Sequence, residues 1–214
     1  MSARPQSSAH APDGERLQRK DFARPTFLVA RRLLGCTIWH RVDGNVVRGR
    51  IVEVEVYTDD AASHAAHGKR TPRNRIMFGP AGFAYVYFTY GMHHCFNVIT
   101  ESDGKPGAVL VRGLDGIDHA AGPGLVCRAL HLTRHDNGRD LVTDPDLWIA
   151  PGRRRAGEHL VRTRRVGIRH GADLAWRLYL LGSPGVSKRD RQAEAQCQQD
   201  KRSRAKIASF QSLP

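Results

Sequence analysis

Two glutamates and a tyrosine recur at every second position in "GRIVEVEVY", residues 49 to 57. A period of two is the side-chain period of a strand, so Ile51, Glu53, Glu55 and Tyr57 are expected on one face and Val52, Val54 and Val56 on the other. Strand geometry sets the two carboxylates roughly 7 Å apart. In an ordinary chain a solvated strand face would explain such acids. This chain, however, carries 34 Lys+Arg against 21 Asp+Glu, a formal net charge of +13. That excess favours a polyanionic partner, because each cation set against a phosphate releases a condensed counterion. A carboxylate facing such a partner is repelled, so it needs a local cation or a reaction to run.

Four of the five tyrosines, Tyr57, Tyr85, Tyr87 and Tyr90, belong to the same region of the chain. In "FAYVYFTY" Tyr85 and Tyr87 share a strand face, and Tyr90 lies past the strand's end beside Gly91. Such tyrosines can be sheet packing; beside basic residues they also suit stacking against nucleobases. The histidines offer a rival chemistry. His64 and His67, with Glu55 and Asp59 or Asp60, could hold a hydrolytic metal, and His93 and His94 add two imidazoles. Their spacing is not that of a known metal motif. No Ser or Cys lies in a nucleophile elbow, and Gly79, Gly82, Gly122 and Gly124 form neither GxGxxG nor a Walker pattern.

Composition bounds what can position these groups. With 214 residues, 40% hydrophobic, the chain supports one sizeable domain. Cys36, Cys95, Cys127 and Cys197 form no CxxC pair, which argues against a zinc ribbon, and a chain of this size needs no disulfide framework. No run approaches the roughly 18 apolar residues of a spanning helix, and "MSARPQSSAHAPDGER" has no apolar signal core. The expectation is therefore an intracellular protein, in the cytoplasm or nucleoid if bacterial and the nucleus if eukaryotic, with no membrane partner.

Residues 1–16 lack periodicity and residues 188–214 are polar and basic, so both are expected as disordered tails around a domain at 17–187. "PTFLVARRLLG" predicts a helix after Pro25 with Phe27, Leu28, Ala30, Leu33 and Leu34 on its apolar side. A strand and a turn at "VDGN" then give a hairpin into the acid-bearing strand. "FAYVYFTY", "GAVLVRGL", "LVTDPDLWIA" and "WRLYLLG" predict further strands, and "GPGLVCRAL" a helix from Pro123. Strands in hairpin order with few helices predict an α+β single domain, a curved, mainly antiparallel sheet surrounded by helices.

In order and approximate spacing, "RGRIVEVEVY", "ASHAAHGKRTPRNRIMFGPAGFAYVYFTYGMHHCFNVIT", "GAVLVR", "GPGLVCRAL", "RRVGI" and "LGSPGVS" resemble the alkyladenine (3-methyladenine) DNA glycosylase family. The resemblance implies a monofunctional base excision repair enzyme that flips alkylated or deaminated purines out of double-stranded DNA and hydrolyses the N-glycosidic bond, acting as a monomer without a cofactor or metal. It implies Glu55 as general base, Arg112 as a partner that helps hold the water, and Glu53 as companion acid. Tyr57, His64 and Tyr87 match the walls stacking the extruded base, Asn97 the residue that collides with the guanine amino group, and Val166 a lining position. Tyr90 matches the side chain inserted into the duplex. Arg70, Arg73, Met92 and His93 are expected to contact DNA. The segment between "VRGLDGIDHAA" and "GPGL" is shorter than in many members. The two competing readings are a non-catalytic DNA- or RNA-binding protein and a metal-dependent hydrolase built on the histidines.

Overall fold

Asp43 and Gly44 both take positive φ, 50° and 74°, as a two-residue turn must if its twist is to match the strands it joins. The turn links β1 (Thr37–Val42) to β2 (Asn45–Tyr57), paired antiparallel from Val42 with Asn45 to Thr37 with Arg50. The computed structural model describes residues 15–89, 91–171 and 173–211. Six further strands follow: β3 (Ala84–Thr89), β4 (His93–Ile99), β5 (Ala108–Asp115), β6 (Leu147–Ala150), β7 (Leu160–Thr163) and β8 (Arg177–Leu180). Among the described residues every strand pairing is antiparallel, in the order β3-β4-β5-β2-β1-β6, with β8 on β2 and β7 outside β8. Helices α2 (Thr26–Leu33), α3 (Pro123–Ala129) and α4 (Arg191–Gln211) pack against this curled sheet, and α1 (Arg19–Phe22) packs against α2. The α+β class and antiparallel sheet expected from the sequence are therefore the observed ones.

Strand β2 changes partner along its length. Asn45 to Arg50 pair with β1 and Glu53 to Glu55 with β8, while β5 follows the opposite edge from Arg50 to Tyr57. Where the partner changes, the register with β5 shifts on both sides of Glu53, a bulge-like irregularity that re-aims side chains. Here the strict alternation fails: Ile51, predicted beside the acids, packs in the main apolar core with Val52, Val54 and Val56.

Helix α2 begins after Pro25 as predicted, but the stripe it buries is Thr26, Val29, Ala30 and Leu33, the three-and-four spacing that faces a sheet. Leu28, predicted on that side, is 50% exposed. Leu17 is buried and its N–H bonds Ile149 O at 2.9 Å; most of the expected N-terminal tail lies outside the described residues. The C-terminal expectation needs correction, because residues 191–211 form α4 rather than a disordered tail. Ala193 and Cys197 pack on Val161 and Tyr179, and the Tyr179 hydroxyl donates to Glu194 at 3.1 Å. These few anchors hold a helix whose composition is otherwise that of a solvated tail. No helix among the described residues is long and apolar enough to cross a membrane.

Gly113, on β5 beside the register shift, faces the backbone of Gly185: a Cβ there would lie 2.1 Å from Gly185 O. Backbone cannot yield as a side-chain tip can. Gly113→Ala is expected to destabilise the fold by about 3 kcal/mol, the upper range for overpacking, read as a lower denaturant midpoint at unchanged m-value.

Candidate active site

Glu53 and Glu55 are both fully buried, 0% exposed. A carboxylate removed from water costs several kcal/mol unless it is paired and hydrogen-bonded. Glu53 accepts four hydrogen bonds: from Arg177 Nη1 at 2.8 Å, Ser187 N at 2.6 Å, Ser187 Oγ at 2.9 Å and Arg112 Nε at 3.3 Å. Glu55 accepts three: from Val166 N at 2.7 Å, the Tyr57 hydroxyl at 2.8 Å and Arg112 Nη1 at 3.4 Å. A carboxylate offers about two lone-pair positions on each oxygen; Glu53 crowds three donors onto Oε1 and takes one on Oε2, while Glu55 takes one on Oε1 and two on Oε2. Burial pushes the Glu55 pKa above the usual carboxylate value; Arg112, the Val166 N–H and the Tyr57 hydroxyl offset this only in part, and Glu53 adds to it.

Beside the acids opens a cavity of about 380 Å³ whose walls include Tyr57, His64, Tyr87, Asn97, Arg112 and Val166. Three of these, Tyr57, Arg112 and Val166, are the residues that touch Glu55, which lies behind them. Strand β3 sends Tyr85 and Tyr87 to the cavity side by side, ring centroids 5.1 Å apart. His64 meets the Tyr87 ring edge-on at 4.6 Å, and its Nδ1 lies 2.8 Å from the Tyr85 hydroxyl. Partial burial and the nearby Arg73 lower the His64 pKa, favouring neutral imidazole. Burial raises the Tyr87 pKa and pushes Tyr85 up to about 12, so both phenols are protonated. On β4, buried Asn97 donates from Nδ2 to Tyr85 O at 3.1 Å.

Among the expected outer contacts, Arg73 stacks over Tyr87 at 5.3 Å and His93 is on the cavity wall. Met92 is 69% exposed outside it, and Arg70 lies over Phe78 at 4.4 Å. Tyr90 lies outside the described residues. The alternative metal set is not brought together: Asp60 pairs with Arg165 and Glu55 with Arg112. Among the described residues no three His, Cys, Asp or Glu are placed to share an ion.

Sequence reasoning missed the residues that brace the site. The Arg165 side chain, 0% exposed, donates to Val56 O at 2.9 Å and Asp60 Oδ1 at 2.6 Å. Its guanidinium lies over the rings of both Tyr57 and Trp176, at 4.7 and 5.2 Å. Burial alone would raise the Asp60 pKa, but the hydrogen bonds from Arg165, Ala62 and Thr58 hold it below its usual value. Arg177 and Ser187 complete the shell of Glu53. The available signal was a charged residue inside a predicted buried strand, Arg177 in "WRLYLLG", since such a residue must meet an acid.

A sequence profile described as Methylpurine-DNA glycosylase (MPG) matches residues 20–121 and 115–184. A protein of Carboxydothermus hydrogenoformans is 42% identical over 190 residues, covering 81% of this chain and 99% of its own. One from Anaeromyxobacter sp. is 49% identical over 186 residues, covering 81% and 93%. One from Synechococcus elongatus is 45% identical over 182 residues, covering 82% and 92%. All three are named as 3-methyladenine DNA glycosylases.

Removing one partner of a buried ion pair leaves the other charge uncompensated. Arg177→Met is therefore expected to cost about 3 to 5 kcal/mol of unfolding free energy. Arg189→Met, which breaks the partly exposed pair with Glu194, should cost no more than about 1 kcal/mol. Equilibrium denaturation of the two variants measures the difference.

Proposed function

The chain belongs to the methylpurine-DNA glycosylase family and is a DNA glycosylase, a hydrolase of N-glycosidic bonds; from that premise we propose that it excises alkylated and deaminated purines with a water activated by Glu55. The substrate class is 3-methyladenine, 7-methylguanine, hypoxanthine and ethenoadenine in duplex DNA. The observation that carries the reading is the placement of the two carboxylates: all three donors to Glu55, from Tyr57, Arg112 and Val166, stand on the cavity wall, whereas of the residues that donate to Glu53 only Arg112 does. A general base needs a free lone pair for the proton it takes. Glu55 keeps one on Oε1 behind the cavity wall, whereas Glu53 is enclosed by Arg177 and Ser187, which do not line the cavity.

The purine leaves the stack and enters between Tyr57, His64 and Tyr87, where each aromatic contact offsets flipping by about 1 to 3 kcal/mol. Tyr90 takes the vacated place in the duplex, and Asn97 rejects the guanine amino group. As the glycosidic bond lengthens, positive charge grows on the sugar at C1′, and the carboxylate of Glu55 stabilises it while accepting a proton from the attacking water. Arg112 holds Glu55 ionised and helps hold that water. Alkylation at a ring nitrogen makes the base cationic and a better leaving group; neutral hypoxanthine leans more on the protein. Among the described residues the cavity walls carry no lysine, which supports a monofunctional enzyme that leaves an abasic site rather than one forming a Schiff base. Residues 17–187 supply every group named here, which supports a monomer as the active unit. Arg70, Arg73, Met92 and His93 are assigned to the flanking DNA.

Glu55→Gln should keep lesion-duplex affinity and lose at least roughly 10²–10⁴ in single-turnover excision, the usual share of a positioned general base. Purified protein and a duplex with one hypoxanthine or ethenoadenine, treated with alkali after incubation with and without EDTA, give the measurement. A variant that binds and still excises within tenfold of the parent would sink the assignment, and a loss caused by EDTA would select the metal reading. The pH profile gives a second check. Glu55 acts ionised and its pKa is raised, so the rate should fall with decreasing pH through a point above the usual carboxylate range. Tyr57→Phe removes a donor to the ionised form, which raises the pKa further. Its acid limb should therefore lie at higher pH than the parent's.

A further inference from the structure

A second concavity lies apart from the active site and shares no lining residue with it. It is a groove of about 660 Å³ between α2, β7 and α4, and four of its ten lining residues are Arg31, Arg154, Arg162 and Lys201. In the whole chain, Lys and Arg account for 34 of 214 residues, so the groove is more than twice as cationic as the sequence from which it is built. Its one acid, Asp200, accepts a hydrogen bond from Gln196 at 2.9 Å. The cations converge from separate parts of the fold: Arg31 from the last turn of α2, Arg154 from the loop before β7, Arg162 from β7 and Lys201 from α4.

Two of the lining residues look prepared for a ligand. Arg162 stacks over Phe27 at 4.7 Å and donates its Nε to Ala175 O at 2.7 Å, which fixes the side chain while its terminal nitrogens make no bond among the described residues. His159 holds a buried Nε2 without a hydrogen-bond partner among the described residues. Arg31, Arg154 and Lys201 are exposed and make no hydrogen bond or ion pair among the described residues. Like charges gathered without counter-charges destabilise a fold. The arrangement instead provides several positive charges around one channel.

We propose that this groove is a second DNA-backbone site, which takes phosphates of duplex DNA whether or not a damaged base is present. The chain is a DNA glycosylase, so its working partner presents one negative charge per roughly 1.7 Å of duplex axis, and the groove offers the matching chemistry away from the base pocket. The site rests on α4, and its sequence continues past Lys201 with Arg202, Arg204 and Lys206. It does not depend on which acid is the base: it acts on undamaged DNA, where no bond is cut.

The test is the triple variant Arg31→Gln, Arg154→Gln, Lys201→Gln in the full chain, with binding to an undamaged duplex of about 30 base pairs followed across a salt series. Each phosphate that the variant no longer neutralises should lower the slope of log K against log salt by about 0.9, so a fall of about 2 to 3 is expected. Excision of a lesion by saturating enzyme in single turnover should stay within twofold of the parent. Lys201→Glu alone, a change at an exposed position, should lower nonspecific affinity with the melting temperature unchanged, which separates a binding effect from a folding one. An unchanged salt slope in the triple variant with affinity retained by Lys201→Glu would overturn the proposal. So would a variant that loses binding to anionic lipid vesicles while its DNA slope stays intact.

Discussion

Arg112 reaches both buried carboxylates, 3.3 Å from Glu53 and 3.4 Å from Glu55, and the surrounding structure serves that shared contact. Two carboxylates without water would repel each other strongly in a low-dielectric interior. With Arg112 and Arg177 they form a group of zero net charge. The rest of the packing keeps this group closed. Gly113 and Gly185 lack side chains where their backbones cross, which lets the 185–187 segment approach until Ser187 donates to Glu53 by both its N–H and its hydroxyl. Strand β8 pairs with β2 only at Glu53 to Glu55, and this pairing is what carries Arg177 to the acids.

The cluster also resolves the conflict between two acids and a chain of charge +13. Exposed carboxylates would repel the phosphates that the rest of the surface attracts. Burial behind Tyr57, Arg112 and Val166 removes the carboxylates from the surface, and the paired arginines offset their charge. Burial has an opposite effect on proton affinity, seen in the raised pKa of Glu55. Arg112, the Val166 N–H and the Tyr57 hydroxyl oppose that rise, so the proton affinity of Glu55 is set by burial against these three donors.

Much of this was legible in the sequence where the chain is regular. The hairpin at Asp43-Gly44, the helix starting at Pro123 and the strands around Tyr85 and Leu110 follow from turn chemistry, proline placement and hydrophobic period. The failures are irregular or tertiary. A period of two cannot anticipate the register shifts on either side of Glu53, which interrupt the alternation between Ile51 and Val54. Strand β4 reads as a mixed run, "HHCFNVI", and finds its place only by pairing with β3 and β5. Helix α4 is ordered by a handful of contacts to Tyr179 and Val161 that no composition reveals. For the site, the acids, the tyrosines and Arg112 were named from alternation and family resemblance, whereas Arg165, Arg177 and Ser187 act through contacts across long stretches of sequence.

Tyr57 joins the cavity to the buried acids because one side chain faces both. Its ring walls the cavity, and its hydroxyl donates to Glu55. Behind the ring, Arg165 is held by Asp60 and the Val56 carbonyl, and it also lies over the Trp176 ring. A guanidinium fixed against an aromatic face restrains the ring, so this part of the cavity wall is held in place. The hydroxyl proton can still rotate about its C–O bond without moving the ring. Arg165 also precedes Val166, whose N–H is another Glu55 donor. The residue bracing the Tyr57 ring therefore adjoins the backbone N–H that holds the carboxylate, and the cavity wall and the buried acid are positioned by the same short segment, residues 165–166.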